Sequence, residues 1–197
     1  MRIAALILAA GASRRMGRPK PLVEFQGETF LDRLISLLEP HCDPVLVVVG
    51  ESAEAVAGGI RRASAVCFVR NPEPERGQLS SLQCGLKEVP EDRDGVIFTP
   101  VDYPAVKPAT VAALVEAFRA GDASVVAPSC AGRHGHPVVI HRSLIGELLD
   151  LPAEATARDV LRRYAVSTRY VEVADEGILR DIDDPAAYAR LLGPDST

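Results

Sequence analysis

LILAAGASRRMGRPK, residues 6–20, passes from an apolar run into small residues and then into Arg14, Arg15, Arg18 and Lys20. Ala9, Ala10, Gly11, Ala12 and Ser13 leave the backbone uncovered, so its N–H groups can approach an anion closely. Gly17 permits a second tight bend, and the basic side chains offer charge to phosphate oxygens. The spacing matches neither the phosphate loop G-x-x-x-x-G-K-[ST] nor the dinucleotide fingerprint G-x-G-x-x-G. On these residues alone, a phosphate-binding loop competes with a tight turn that carries exposed basic side chains.

Working outward, short Val/Ile-rich runs recur at 2–8, 44–50, 65–70, 95–102 and 123–128. Such continuous runs suit parallel strands covered on both faces. Between them lie amphipathic stretches. In TFLDRLISLLE, Phe30, Leu31, Leu34, Ile35 and Leu38 form one stripe with Asp32, Arg33 and Ser36 off it. ATVAALVEAF repeats the pattern with Val111, Leu114, Val115 and Phe118. Alternating strands and helices imply right-handed crossovers and a Rossmann-like α/β fold of three layers around a mostly parallel sheet.

Beyond residue 130 the rhythm becomes turn, strand and helix, then ARDVLRRY as helix, STRYVEVAD as strand and DPAAYARLL as a closing helix capped by Asp184. There is no internal repeat, low-complexity tract or long linker, so residues 1–197 read as one domain. A chain of this length can bury roughly 70% of its unfolded surface. In open α/β sheets, ligands bind at the carboxyl ends of the strands. Gly11 to Lys20, Asn71 to Leu82 and Asp102 should therefore converge.

A hydrophobic content of 47%, 25% charged residues and a net charge of −5 describe a globular chain and argue against nucleic-acid binding. Cys42, Cys67, Cys84 and Cys130 are scattered without a CxxC pair, and read as free buried thiols in a reducing cytoplasm. The N-terminus imitates a signal peptide, but its apolar run is short and continues as a strand–helix unit. No stretch approaches the length of a membrane span.

Asp102 ends the run GVIFTPVD, where a hard oxygen ligand could bridge protein, Mg²⁺ and phosphate; the plainer reading is a turn aspartate. RDIDDP offers Asp181, Asp183 and Asp184, of which Asp184 precedes Pro185 and suits a helix cap. His134, His136 and His141 invite a zinc reading, yet 136 and 141 would face opposite sides of a strand, and catalytic zinc needs convergent ligands.

LAAGASRRMGRPK closely resembles the signature L-A-A-G-x-S-x-R-M-G-x-x-K of the MobA-like nucleotidyltransferases, nearest their molybdenum cofactor cytidylyltransferase branch. The resemblance continues through NPEPERGQLSSLQCGL, FTPVDYP, GRHGHPVVI and DIDDPAAY. It implies the fold of the nucleotide-diphospho-sugar transferases and a nucleotide site at Ala9, Ala10, Gly11, Ser13, Arg15, Lys20, Gly77 and Ser81. Arg15 and Lys20 match triphosphate-contacting positions and, with Asp102, make the catalytic set. Asp102 and Asp183 correspond to ligands of Mg²⁺, and His136 to the acceptor side of the cleft. GQLSSLQCGL reads as a loop that resembles the family's G-x-S-x-S-L segment near the base and ribose. Leu79 stands where the family has serine and Tyr103 replaces a frequent glutamine, departures that bear on the acceptor.

The implied reaction transfers CMP from CTP to molybdopterin or its molybdenum-loaded form, with release of pyrophosphate and a molybdoenzyme as client. CTP is expected over GTP because guanylyl-transferring relatives carry a glycine-glycine pair in the loop where this chain has Ala9-Ala10-Gly11, and a methyl at residue 10 narrows the space for a purine. The rival readings are transfer to a sugar 1-phosphate or another phosphorylated alcohol, and a non-catalytic chaperone that delivers the cofactor.

Overall fold

The computed structural model describes residues 1–193. Its strands are β1 (Ile3–Leu8), β2 (Glu24–Phe25), β3 (Glu28–Thr29), β4 (Val45–Val49), β5 (Cys67–Arg70), β6 (Gly95–Pro100), β7 (Val125–Cys130), β8 (Arg133–His134), β9 (Val138–His141) and β10 (Thr168–Glu172). Its helices are α1 (Phe30–Leu38), α2 (Ala53–Gly59), α3 (Gln78–Lys87), α4 (Pro108–Arg119), α5 (Ile145–Leu149), α6 (Ala157–Arg163) and α7 (Pro185–Leu191).

The main sheet has the order β10-β7-β9-β6-β1-β4-β5, with β8 paired to β7. Pairings β1–β4, β1–β6, β4–β5 and β7–β10 are parallel. Strand β9 runs antiparallel to both β6 and β7. The apolar run at the N-terminus is thus an inner strand, flanked by β4 and β6.

Alternation along β1 shows how one strand serves two cores. Ile3, Ala5 and Ile7 join the apolar cluster that includes α1 and α4. Ala4, Leu6 and Leu8 face the cluster with α3, α5 and α6. Every residue of β1 is buried, because helices cover both faces of a parallel core. The three-layer α/β expectation holds.

Several local expectations need correction. The run 65–70 pairs only from Cys67, after a 3₁₀ turn at Ala63–Ala65, and forms an edge strand with Cys67 and Arg70 exposed. Only Cys42 is a buried thiol, its pKa pushed up to about 12 by burial; Cys84 and Cys130 are half-buried. Asp32 lies off the apolar stripe of α1 yet is buried. Its carboxylate accepts the backbone N–H groups of Arg61 and Arg62 at 3.0 Å and the Thr29 hydroxyl at 2.8 Å. Hydrogen-bonded partners replace water, so hydropathy alone misplaced it. GQLSSLQCGL is helical as α3, opened by Gly77 at φ +90°.

Asp184 caps α7 as its place before Pro185 suggests: its carboxylate accepts the N–H of Ala187 at 2.7 Å. Asp184→Ala should lower stability by about 1 kcal/mol in urea unfolding while leaving nucleotide binding intact. An unchanged unfolding midpoint would contradict the cap.

Candidate functional site

Parallel pairing brings the carboxyl ends of β1, β4, β5 and β6 to one edge, and hydrogen bonds extend that alignment past the strands. Ala9 donates to Val48 O at 2.8 Å, Val101 to Leu8 O at 3.0 Å and Asn71 to Val49 O at 2.8 Å. A Cβ on Gly50 would stand 2.7 Å from the carbonyl of Ala10, so only glycine lets the end of β4 approach the loop after β1 this closely. A cleft of about 510 Å³ opens there, lined by the loop from Leu8 to Arg15, Lys20, Ser81, Asp102 and Asp183 among others.

The signature loop is shaped by Ser13, which adopts φ +50° despite its Cβ. Its hydroxyl accepts the backbone N–H of Lys20 at 2.9 Å, closing the arginine-rich turn on itself. Ser13 thus fixes where Lys20 begins, a role distinct from touching a nucleotide. Pro21 follows within the 3₁₀ turn Lys20–Leu22.

From that anchor the Lys20 ammonium reaches two carboxylates. It donates to Asp102 Oδ2 at 3.0 Å and to Asp183 Oδ1 in a very short contact. Arg15 Nη1 donates to the other oxygen of Asp183 at 3.1 Å. Arg15, Lys20, Asp102 and Asp183, named from sequence as the charged set, are therefore one connected cluster.

Burial and charge act together on this cluster. Burial alone would lower the Lys20 pKa, but the hydrogen bonds and charges of Asp183 and Asp102 raise it. Burial raises the Asp102 pKa against the opposing pull of Lys20. Asp183, more exposed, is lowered chiefly by its hydrogen bond from Lys20. The ammonium and the Asp183 carboxylate are thus held in their charged forms.

Asp102 Oδ1 is buried without a hydrogen-bond partner among the described residues. A hard oxygen acceptor left unmatched beside a second carboxylate fits a divalent cation. Among the described residues no group of three His, Cys, Asp or Glu side chains could enclose a metal. Asp102 and Asp183 are thus the two carboxylates that could hold a divalent cation, whose remaining positions phosphate oxygens and water can fill.

Asp183 is brought to Asp102 by backbone contacts: the N–H of Ile182 donates to the carbonyl of Asp102 at 2.9 Å. Farther back, buried Asp175 accepts from Lys107 N at 2.8 Å, Thr110 Oγ1 at 2.6 Å and Gly177 N at 2.9 Å. These bonds clip the start of α4 to the turn that leads into Asp183.

On the opposite wall, Asn71 Nδ2 donates to the hydroxyls of Ser80 at 2.9 Å and Ser81 at 3.0 Å, and Asn71 Oδ1 accepts from Glu73 N at 2.9 Å. In the sequence Asn71 stands out only as the start of a post-strand segment. Its signal was the polar Asn-Pro pair directly after an apolar run. Gly77 and Ser81 line the cleft as named, together with Ala9, Ala10, Gly11 and Ser13.

The histidines do not converge. His134 stacks on Tyr170 with centroids 3.8 Å apart, and His141 accepts from Ser143 N at 3.2 Å. His136 precedes β9 and packs 4.9 Å from the ring of Tyr103, outside the lining of the main cleft. Tyr103 itself is raised to about 12, first by burial and then by Asp181, Asp102 and Asp183.

The segment at residues 5–168 matches the MobA-like NTP transferase domain. The chain belongs to that family. The match contains the signature loop, α3 and Asp102 but stops short of Asp183, whose membership of the site therefore rests on geometry. This MobA-like chain is 30% identical to the nicotine blue oxidoreductase of Paenarthrobacter nicotinovorans, with 96% of each chain covered. It is 24% identical to the molybdenum cofactor cytidylyltransferase of Escherichia coli K12, over 91% of this chain and 90% of that one. Among solved structures, Rv0371C of Mycobacterium tuberculosis H37Rv in complex with manganese superposes with a TM-score of 0.78 at 25% identity, covering 98% of both chains.

Burial pushes the His136 pKa from 6.5 to about 4, against a raising backbone hydrogen bond at Phe98 and with a smaller lowering effect from Arg158. The unfolded chain binds a proton that the folded chain refuses. Stability is thus full above the unfolded value and is lost as pH falls toward the folded one. Between about pH 7 and pH 4.5, wild type should lose about 2–3 kcal/mol relative to His136→Gln in urea unfolding. A difference independent of pH would mean that the imidazole titrates normally.

Proposed function

We propose that this MobA-like protein is a nucleotidyltransferase that moves CMP from CTP onto the phosphate of molybdopterin or its molybdenum-loaded form and releases pyrophosphate. The observation that supports it most is the cluster of Lys20, Arg15, Asp102 and Asp183 at the edge of a cleft floored by bare backbone. The product would pass to a client molybdoenzyme in the cytoplasm. Among the described residues no helix is long and apolar enough to cross a membrane.

The acceptor phosphate is already anionic near neutral pH, so its oxygen attacks the α-phosphorus without a general base. One phosphoanhydride forms as the bond to pyrophosphate breaks, and no proton need move. What the chain must supply is alignment of two anions and compensation of their charge. The loop from Ala9 to Ser13 presents backbone N–H groups to the nucleotide, while Arg15 and Lys20 meet the phosphates that leave. Asp102 and Asp183 would hold Mg²⁺, which offsets triphosphate charge when bound. His136 and Tyr103 border the acceptor side.

CTP is favoured because Ala10 lines the cleft, and a residue larger than glycine there leaves the loop less room to accommodate a purine. A purine forced to leave a buried donor or acceptor unmatched there would lose roughly 1–3 kcal/mol.

The relative named as nicotine blue oxidoreductase supports a second reading, in which the same cleft serves a redox reaction in place of nucleotidyl transfer. Two carboxylates bridged by lysine beside the phosphate loop serve charge compensation better than hydride transfer, so nucleotidyl transfer is preferred.

One assay separates these readings: pyrophosphate release with Mg²⁺ and each nucleoside triphosphate, offering molybdopterin and a panel of sugar phosphates. CTP with molybdopterin should react fastest, and Asp102→Asn should depress kcat at least tenfold, about 1.4 kcal/mol, with the fold retained. Faster reaction with GTP would overturn the cytidylyl assignment, and a sugar phosphate as best acceptor would overturn the molybdopterin one. Near-normal kcat in Asp102→Asn would remove Asp102 from the site. Substrate-dependent oxidation of a reduced nicotinamide nucleotide, without pyrophosphate, would favour the redox reading.

A further inference from the structure

Lys20 is required in two places. Its ammonium lies between Asp102 and Asp183 and donates to both, while Lys20 also lines the cleft in which the proposed nucleotide would place its phosphates. One ammonium on a four-carbon stem cannot hold both sets of anions at once. Its main chain is pinned by the bond from its N–H to Ser13 Oγ, so only the side chain is free to change partners.

The charges in the cleft are matched in pairs. Lys20 and Arg15 are spent on Asp102 and Asp183. Arg14, also lining the cleft, is exposed and has no hydrogen bond or ion pair among the described residues. The Lys20 and Asp102 side chains are only 13% and 20% exposed, so their pairing is less screened than one on the open surface. A divalent cation arriving alone must displace a half-buried ammonium and leave it beside a dication without an acceptor. A triphosphate arriving alone must draw Lys20 from two carboxylates, leaving them uncompensated.

We propose that Lys20 is the resident counter-ion of the Asp102–Asp183 pair, and that divalent cation and triphosphate enter together by exchange. The cation takes the carboxylates as the ammonium transfers to the phosphates, while Arg14 offers the incoming anion its first partner. The identity of the phosphate ligand rests on the nucleotidyl-transfer reading. Coupling of this kind is reciprocal: each ligand strengthens the other by the same factor.

The test is titration of Mn²⁺ into nucleotide-free protein, read from the electron paramagnetic resonance signal of the unbound ion. Lys20→Met and Lys20→Gln should each bind Mn²⁺ about tenfold or more tighter than wild type, because the competing ammonium is gone. Both should bind α,β-methylene-CTP more weakly. Folded variants that bind Mn²⁺ no better than wild type would overturn the exchange.

Wild type supplies a measurement independent of variant folding. The CTP analogue should raise the affinity of the protein for Mn²⁺ about tenfold or more, after correction for the Mn²⁺–analogue complex in solution. Equal affinity with and without the analogue would overturn it. Neither titration reads pyrophosphate. Failure here therefore leaves nucleotidyl transfer standing, and failure of the transfer assay leaves the Mn²⁺ result standing.

Discussion

The Lys20 ammonium between Asp102 and Asp183 ties together the loop after β1, the end of β6 and the segment before α7. Those pieces are far apart in sequence, and each arrives by a different physical route. Parallel pairing of β1 with β6 carries Asp102 to the edge where the loop begins. Ser13 closes the loop so that Lys20 starts within reach. The bond from Ile182 N to Asp102 O sets Asp183 beside its partner. Disturbing any of these three would leave a half-buried charge without its counter-ion, which costs far more than loss of an exposed pair.

The same arrangement explains why a simple scaffold carries so specific a site. The sheet and its two apolar faces ask only for Val, Ile, Leu and Ala at alternating positions. Chemistry is confined to loops and first turns beyond the strand ends, as is usual for open α/β sheets. This separation lets one family scaffold underlie relatives named as a cytidylyltransferase and as an oxidoreductase. Function must therefore be argued from the charged cluster and not from the fold.

Much of this was legible in the sequence because the signals were local. The runs that became β1, β4, β6 and β7 are continuous and apolar, and the signature loop states its own spacing. Asp184 could be read as a cap from Pro185 alone. Less legible were features that depend on distant partners. Asp32 looked like a solvated helix residue until the N–H groups of Arg61 and Arg62 turned out to satisfy it. Asp175 carries no motif, since its three donors come from elements that meet only in the fold. The run at 65–70 has the composition of an inner strand, but sheet order, which hydropathy does not encode, left β5 at the edge. The helical state of GQLSSLQCGL was obscured by its serines and glycines, which the buried amide of Asn71 and the tight packing beneath α3 accommodate.

In the proposed exchange, one pair of carboxylates serves the ammonium and a divalent cation in turn. The most direct measurement is anomalous diffraction from crystals grown with Mn²⁺ and α,β-methylene-CTP. The account predicts an anomalous peak at the carboxylates of Asp102 and Asp183, with the Lys20 ammonium moved onto the phosphates. Mn²⁺ bound away from both aspartates, or Lys20 still between them with the analogue in place, would contradict it.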